Sequence, residues 1–277
     1  MTTSARDAVS LCATCGVEHL HPTGTCAICA DERQWVPAGG QRWTTLAELD
    51  EAGHHTEVAE PEAGLLEIIA EPKVGIGHHA FLVRTAAGSV LWDPPGYLDA
   101  AAVRRVRAEG EVLAIASSHP HMFGVQVEWS RALGDPPVLV CEPQLDWVAR
   151  PDERIETWRG RRDLAPGLSL AELGGHFAGS SVVHWAAGAG GRGVLLSSDT
   201  IHCNPDRATV TFLRSYPNRI PLSPAVIERI TRGAEALGFD RLYDNFGRGI
   251  DHDAAGAVRR SADRYRAWVS GAFDHLT

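Results

Sequence analysis

Short, nearly unbroken apolar runs punctuate the chain, separated by glycine, proline and charged residues. "VLAIA" (112–116), "SVVHW" (181–185) and "GVLLS" (193–197) have the length and residue types of buried strands. Similar runs predict strands over 65–70, 80–85, 89–92, 137–141 and 241–243, with "AAG" turning the chain between the second and third of these. A longer period governs "YLDAAAVRRVRAEG": Leu98, Val103 and Val106 fall on one side, polar residues opposite, and Gly110 ends it, as in an amphipathic helix. Helices are also expected over 125–133, 144–149, 223–237 and 253–272. The third opens on Ser223-Pro224, an N-cap followed by proline at the first helical position. Strands arriving singly and in pairs between helices make the class α/β or α+β with layered sheets.

Cysteine spacing sets the N-terminal segment apart. Cys12-x-x-Cys15 and Cys26-x-x-Cys29 form a C-x2-C-x10-C-x2-C array. Two such pairs on tight knuckles can place four thiolates about one zinc ion, with incidental thiols or a redox dithiol as the competing role. Gly16 follows the second cysteine, where a knuckle favours positive φ. Apolar residues are too few here for independent folding, so metal is expected to supply the stability. The pattern resembles zinc ribbons and, more loosely, rubredoxins. "CAICAD" lacks the Pro-x-Cys-Gly of an iron centre, which favours structural zinc. The unit is expected over 1–36 and the main domain over 37–277, with Pro37-Ala-Gly-Gly40 as the turn between them. Cys141 and Cys203 stand alone and are expected as small buried apolar residues.

The 277 residues, 44% of them hydrophobic, suffice for one large core plus this appendage. A net charge of −9 argues against nucleic acid or an anionic membrane as main partner. No apolar stretch is long enough to span a bilayer, and "MTTSARDAVS" lacks a leader pattern, so a cytoplasmic location is expected. The cysteine unit is expected to pack on the main domain or on a homodimer mate. With no Gly-x-Ser-x-Gly, P-loop or G-x-G-x-x-G after a strand, serine hydrolysis and nucleotide binding lack local support.

Three features carry the chemistry. His119-x-His121 stands just past the strand at 112–116; His176 follows two glycines in "LGGHFAGSSVVHW"; "GVLLSSDTI" delivers Asp199 from a strand into a loop. Each alone is more simply explained by a core or surface histidine, a turn or a loop cap. In this order, after "GHHAFLVRTAAGSVLWDPPG" with Asp93 closing its second strand, they resemble the metallo-β-lactamase superfamily over roughly residues 65–270. The resemblance implies a four-layer αββα sandwich with metal at one edge. It also implies His119, His121 and His176 as ligands of the first metal, with Asp199 as the carboxylate bridging to a second.

The departures concern that second metal. The family pattern is His-x-His-x-Asp-His; here Phe123 stands at the Asp position and Gly124 at the final His position. The last ligand, a histidine in a Gly-rich turn, corresponds to Arg248 in "NFGRGI", with His252 as an alternative. The ligands peculiar to the second metal are missing and the first set is intact. Three neutral imidazoles around zinc lower the pKa of a bound water to about 7 and polarise a carbonyl. The expected activity is therefore hydrolysis of a small-molecule ester, thioester, lactone or amide by a mononuclear zinc site. Asp199 completes the coordination or orients the water. Glu128 is a candidate general base, with a helix cap or salt bridge as the competing role. Arg248 is a candidate anchor for a substrate carboxylate or an oxyanion, and His79 and His202 are expected at the rim. Phe123 and Gly124 are expected to make the pocket more apolar, which keeps open a non-catalytic, small-molecule-binding role. Iron in the active site, with oxygenase or redox activity, is the other alternative.

Overall fold

The computed structural model describes residues 9–277; the first eight, part of the stretch read above for a leader, lie outside the described residues. Two sheets stack face to face. The first orders its strands Ile155–Trp158, Val138–Cys141, Val112–Ala116, Gly88–Trp92, Ala80–Thr85, Leu65–Glu71 and His55–Glu62. The first four run parallel and the rest antiparallel. The second sheet orders Arg161–Ala165, Leu168–Glu172, Ser181–Trp185, Val194–Leu196, Arg241–Tyr243 and Gly249–Ile250, with one parallel pair between Val194–Leu196 and Arg241–Tyr243.

Strand alternation divides the apolar residues between two faces. Phe81, Val83, Val90, Trp92 and Ala116 of the first sheet interlock with Leu170, Val183, Val194 and Leu196 of the second. The outer face of the first sheet, with Leu66, Leu82 and Ile115, is covered by the helices Ala100–Arg107 and Gln126–Leu133. The outer face of the second, with Val182, Leu195 and Leu242, is covered by Pro224–Glu235 and Ala254–Val269. The layers run helix, sheet, sheet, helix, as the resemblance implies.

Differences from the sequence expectation lie at edges. The segment expected as a helix over 144–149 is a 3-10 element, Glu142–Trp147. His55–Glu62 and Arg161–Ala165 are edge strands with few buried residues, so no apolar run announced them. Among the described residues, no helix is long and apolar enough to cross a membrane.

The cysteine unit packs on its own main domain. Ser10–Cys12 pairs with Glu18–His19 and with Trp43–Thr45, a strand beyond the expected boundary at residue 36. Leu11, Val17 and Ile28 are buried in the same core as Leu66, Tyr97 and Trp129. The first knuckle rests on two glycines: a Cβ at Gly75 would lie 2.4 Å from the Cys15 backbone, and one at Gly96 2.7 Å from the Gly16 carbonyl.

The parallel pairs position the site. Gly88–Trp92 and Val112–Ala116 run together, as do Val194–Leu196 and Arg241–Tyr243. Their C-terminal ends deliver Asp93, Ser118 to His121, Asp199 and Asp244 to one edge, where the Ser118 and Ser198 hydroxyls meet at 2.8 Å across the sheets.

Candidate metal centre

Local turns aim the site's side chains. After Val112–Ala116 the chain tightens into a 3-10 turn, Pro120–Met122, bringing His119 and His121 to the same place. Gly174 and Gly175 both have positive φ, and a Cβ at Gly175 would sit 2.5 Å from Ile230, so this turn into His176 needs glycine. Asp199 lies in the turn Ser198–Thr200, directly after the strand Val194–Leu196.

One ligand atom from each of His119, His121, His176 and Asp199 lies within 4.8 Å of all the others. His121 Nδ1 is 3.2 Å from His176 Nε2, and Asp199 Oδ2 is 3.5 Å from His119 Nε2 and 3.8 Å from His176 Nε2. A tetrahedral zinc ion with bonds of about 2.0–2.1 Å has ligand-to-ligand edges of about 3.3 Å, so these atoms fit one ion. The histidines are at most 1% exposed, and the Nε2 of His119 has no hydrogen-bond partner, a costly arrangement unless a cation takes its lone pair. Burial, then the neighbouring His119, pushes His176 down to about 3 and His121 well below the usual imidazole range. Both are therefore neutral ligands at physiological pH. Burial alone would raise Asp199, but the facing imidazoles of His119, His176 and His202 hold it at about 2.

A surrounding layer sets the tautomers. Ser118 Oγ donates to Asp93 Oδ2 at 3.0 Å and lies 2.8 Å from His119 Nδ1. With Nε2 turned to the other ligands, the ring proton belongs on Nδ1, where the Ser118 hydroxyl can accept it. His176 Nδ1 donates to the Leu213 carbonyl at 3.0 Å with the same result. The Phe177 ring stacks on His119 at 5.6 Å and meets His121 and His176 edge-on at 4.9 and 5.3 Å. Tyr216 donates to the Asp199 carbonyl at 3.0 Å. Asp93 was legible as the end of a strand, and Ser118 adjoins the His-x-His pair. Phe177, Leu213 and Tyr216 carry no sequence signal of their roles.

The residues that stand in place of second-metal ligands take other roles. Gly124 has φ +50°, and its Cβ would lie 2.0 Å from the Pro94 carbonyl oxygen. Phe123 is buried in the core shared with the cysteine unit, rather than adding apolar surface to the pocket as expected above. Arg248 Nη1 lies 3.2 Å from His202 Nε2. A guanidinium only donates, so Nε2 accepts and the proton sits on Nδ1, which faces Asp199 Oδ1 at 3.7 Å and Asp244 Oδ2 at 3.5 Å. His79 Nδ1 contacts Glu67 Oε1 at 2.6 Å, and the His79 amide donates to the Asn245 carbonyl. Arg248, His202, His79 and Tyr216 are only partly buried.

Two sequence candidates lie elsewhere. Glu128 Oε1 is held by Arg150 at 2.6 Å and Arg131 at 3.2 Å on the helix Gln126–Leu133, so the salt-bridge role is the one observed. His252 is largely exposed beside Asp240 and is not among the clustered ligands.

The N-terminal cysteines form a second buried cluster. Sγ separations are 3.6 Å for Cys12 and Cys29 and 3.9 Å for Cys15 and Cys26. Zinc–sulfur bonds of about 2.3 Å imply edges of about 3.8 Å. Gly16 has φ +78°, its amide donates to the Cys12 carbonyl at 2.8 Å, and Gln41 Nε2 donates to Cys12 Sγ at 3.2 Å.

No family model matches the chain. It is 41% identical over 260 residues to the uncharacterized protein YmaE of Bacillus subtilis (strain 168), covering 92% of this chain and 94% of that protein. Among solved structures it is similar to DIM-1 metallo-β-lactamase, with a TM-score of 0.56 and 11% identity over 77% of this chain and 98% of the other. A metallo-β-lactamase from Pontibacter korlensis gives 0.54 and 15% over 76% and 99%. The Flv1 flavodiiron core from Synechocystis sp. PCC6803 gives 0.51 and 11% over 77% and 61%. At these identities the likeness to solved structures is one of fold.

Proposed function

The chain belongs to the family of YmaE and has the metallo-β-lactamase fold, and from that premise we propose that it is a metal-dependent hydrolase of a small-molecule ester, thioester, lactone or amide. The observation that carries the reading is the buried set of three imidazoles and one carboxylate, spaced for a single cation. Zinc suits this donor set of three imidazole nitrogens and a carboxylate. When bound there, it supplies Lewis acidity to a carbonyl and acidifies water.

The chain's own residues do the rest. Asp199 is anionic and a weak base, so its second oxygen can accept a hydrogen bond from water and orient it. His202, with Nδ1 toward Asp199 and Nε2 toward Arg248, links the buried carboxylate to the partly exposed rim. Among the described residues no carboxylate lies within ion-pair distance of the Arg248 guanidinium, which leaves its charge available to a substrate carboxylate or an oxyanion.

Chelation followed by zinc addition should abolish and restore turnover across an ester, thioester and lactone panel. His119→Ala and His176→Ala should each lose one of about two metal ions per chain, and most activity with it. Full metal content together with full activity in both variants would overturn the assignment. Metal analysis of protein expressed without added zinc distinguishes zinc from iron.

A further inference from the structure

We propose that the four-cysteine unit is a working part of the histidine centre: through Arg33 it positions the ligands, so that loss of thiolate-bound metal weakens metal retention at the histidines. The inference rests on the reading of His119, His121, His176 and Asp199 as a metal site.

Cys29 lies in the helical turn Ala27–Ala30, and the chain then runs straight into Asp31 to Gln34. Arg33 in that segment is only 7% exposed. Asp31 grips it twice, with Nε to Oδ1 at 2.5 Å and Nη2 to Oδ2 at 2.9 Å. The remaining Nη1 donates to the carbonyl of His176 at 3.4 Å. The guanidinium carbon sits 3.6 Å from the centroid of Phe177, the ring packed against all three imidazoles. The Arg33–Asp31 pair is neutral as a unit, so its contribution near a cation is orientation rather than net repulsion.

A second route joins the same two places. Ser215 Oγ donates to the Arg33 carbonyl at 3.2 Å, and Asn218 Nδ2 donates to the carbonyls of Glu32 and Gln34 at 2.7 and 3.1 Å. The segment carrying Ser215 and Asn218 also carries the Leu213 carbonyl, which fixes His176 Nδ1, and Tyr216, which holds the Asp199 carbonyl. It is thus bonded to the cysteine unit on one side and to two ligands on the other. The unit itself has short strands and a single helical turn, so the position of Asp31 to Gln34 depends on the four sulfurs being drawn together. Withdrawing that cation releases both routes at once, a physical connection rather than mere proximity.

The test uses full-length protein loaded with cobalt, whose thiolate charge-transfer band reports the cysteine site and whose visible d–d bands report the histidine site. Arg33→Ala and Asn218→Ala are compared with wild type under chelator. The expected result is release of histidine-site cobalt about tenfold faster in Arg33→Ala, with the thiolate band and the unfolding temperature preserved. Stripping the thiolate metal with a mercurial should speed that release in wild type and add less, though still measurably, in Arg33→Ala, where only the route through Ser215 and Asn218 remains to be lost. Equal release from wild type and both variants overturns the proposal alone. A wild-type protein that holds no cobalt at the histidines overturns the metal reading, and the proposal with it.

Discussion

At Gly124 the backbone turns at φ +50° with the Pro94 carbonyl oxygen 2.0 Å from where a Cβ would stand. A histidine there would need the Pro94–Pro95 segment to move, so the missing ligand is enforced by packing as well as by residue choice. Gly124→Ala should therefore destabilise the fold by roughly 2–4 kcal/mol, read as a lower denaturation midpoint with unchanged m-value. An unchanged midpoint would show that the turn relaxes freely. Ser118 acts at the same scale but on the tautomer of His119. Ser118→Ala should weaken cation affinity by about 10–100-fold in chelator competition while leaving the cysteine site full. The four ligands were legible because each sits where an apolar run or glycine pair stops. The reason for Gly124 was not, since it lies in a carbonyl some thirty positions upstream, and neither was Arg33, 143 positions from the His176 carbonyl it holds.

Elements show the same division between local and distant causes. The central strands were readable because both their faces are buried, whereas the edge strands have exposed faces and no apolar run to betray them. The junction between the cysteine unit and the helix Gln126–Leu133 was unreadable because it joins distant charges. Glu18, from the strand Glu18–His19, accepts from the Val127 amide at 2.6 Å and pairs with Arg150, which also holds Glu128 at 2.6 Å. Burial pushes Glu18 up to about 7, against the pull of Arg150 and the Val127 amide. A carboxyl raised in the folded state contributes stability that is complete below its unfolded pKa and is lost as pH rises through about 7. The contribution is roughly 3 kcal/mol between pH 4.5 and 7. Glu18→Gln should flatten this decline. Zinc-saturated protein unfolded by urea at pH 5 and pH 8 measures it, and equal pH slopes for variant and wild type would refute the assignment to Glu18.

For the whole molecule, the three apolar cores do not depend equally on metal. The core between the sheets and the one beneath Pro224–Glu235 and Ala254–Val269 contain no residue of the cysteine unit. The third core includes Leu11, Val17, Ile28 and the four cysteines, which contribute little apolar surface once the sulfurs lose their cation. Chelation should accordingly loosen the cysteine unit between the strands Ser10–Cys12 and Trp43–Thr45 while the sandwich stays folded. Trypsin tests this directly, because Arg33 is buried and bonded to both Asp31 and His176 while the unit is intact. Cleavage after Arg33 should emerge on chelation and vanish when zinc is restored, with the fragment from the sandwich persisting on the gel. If Arg33 stays protected after all metal is removed, packing against Phe177 and the 213–218 segment holds the unit by itself. The cysteine cation would then be dispensable for its placement.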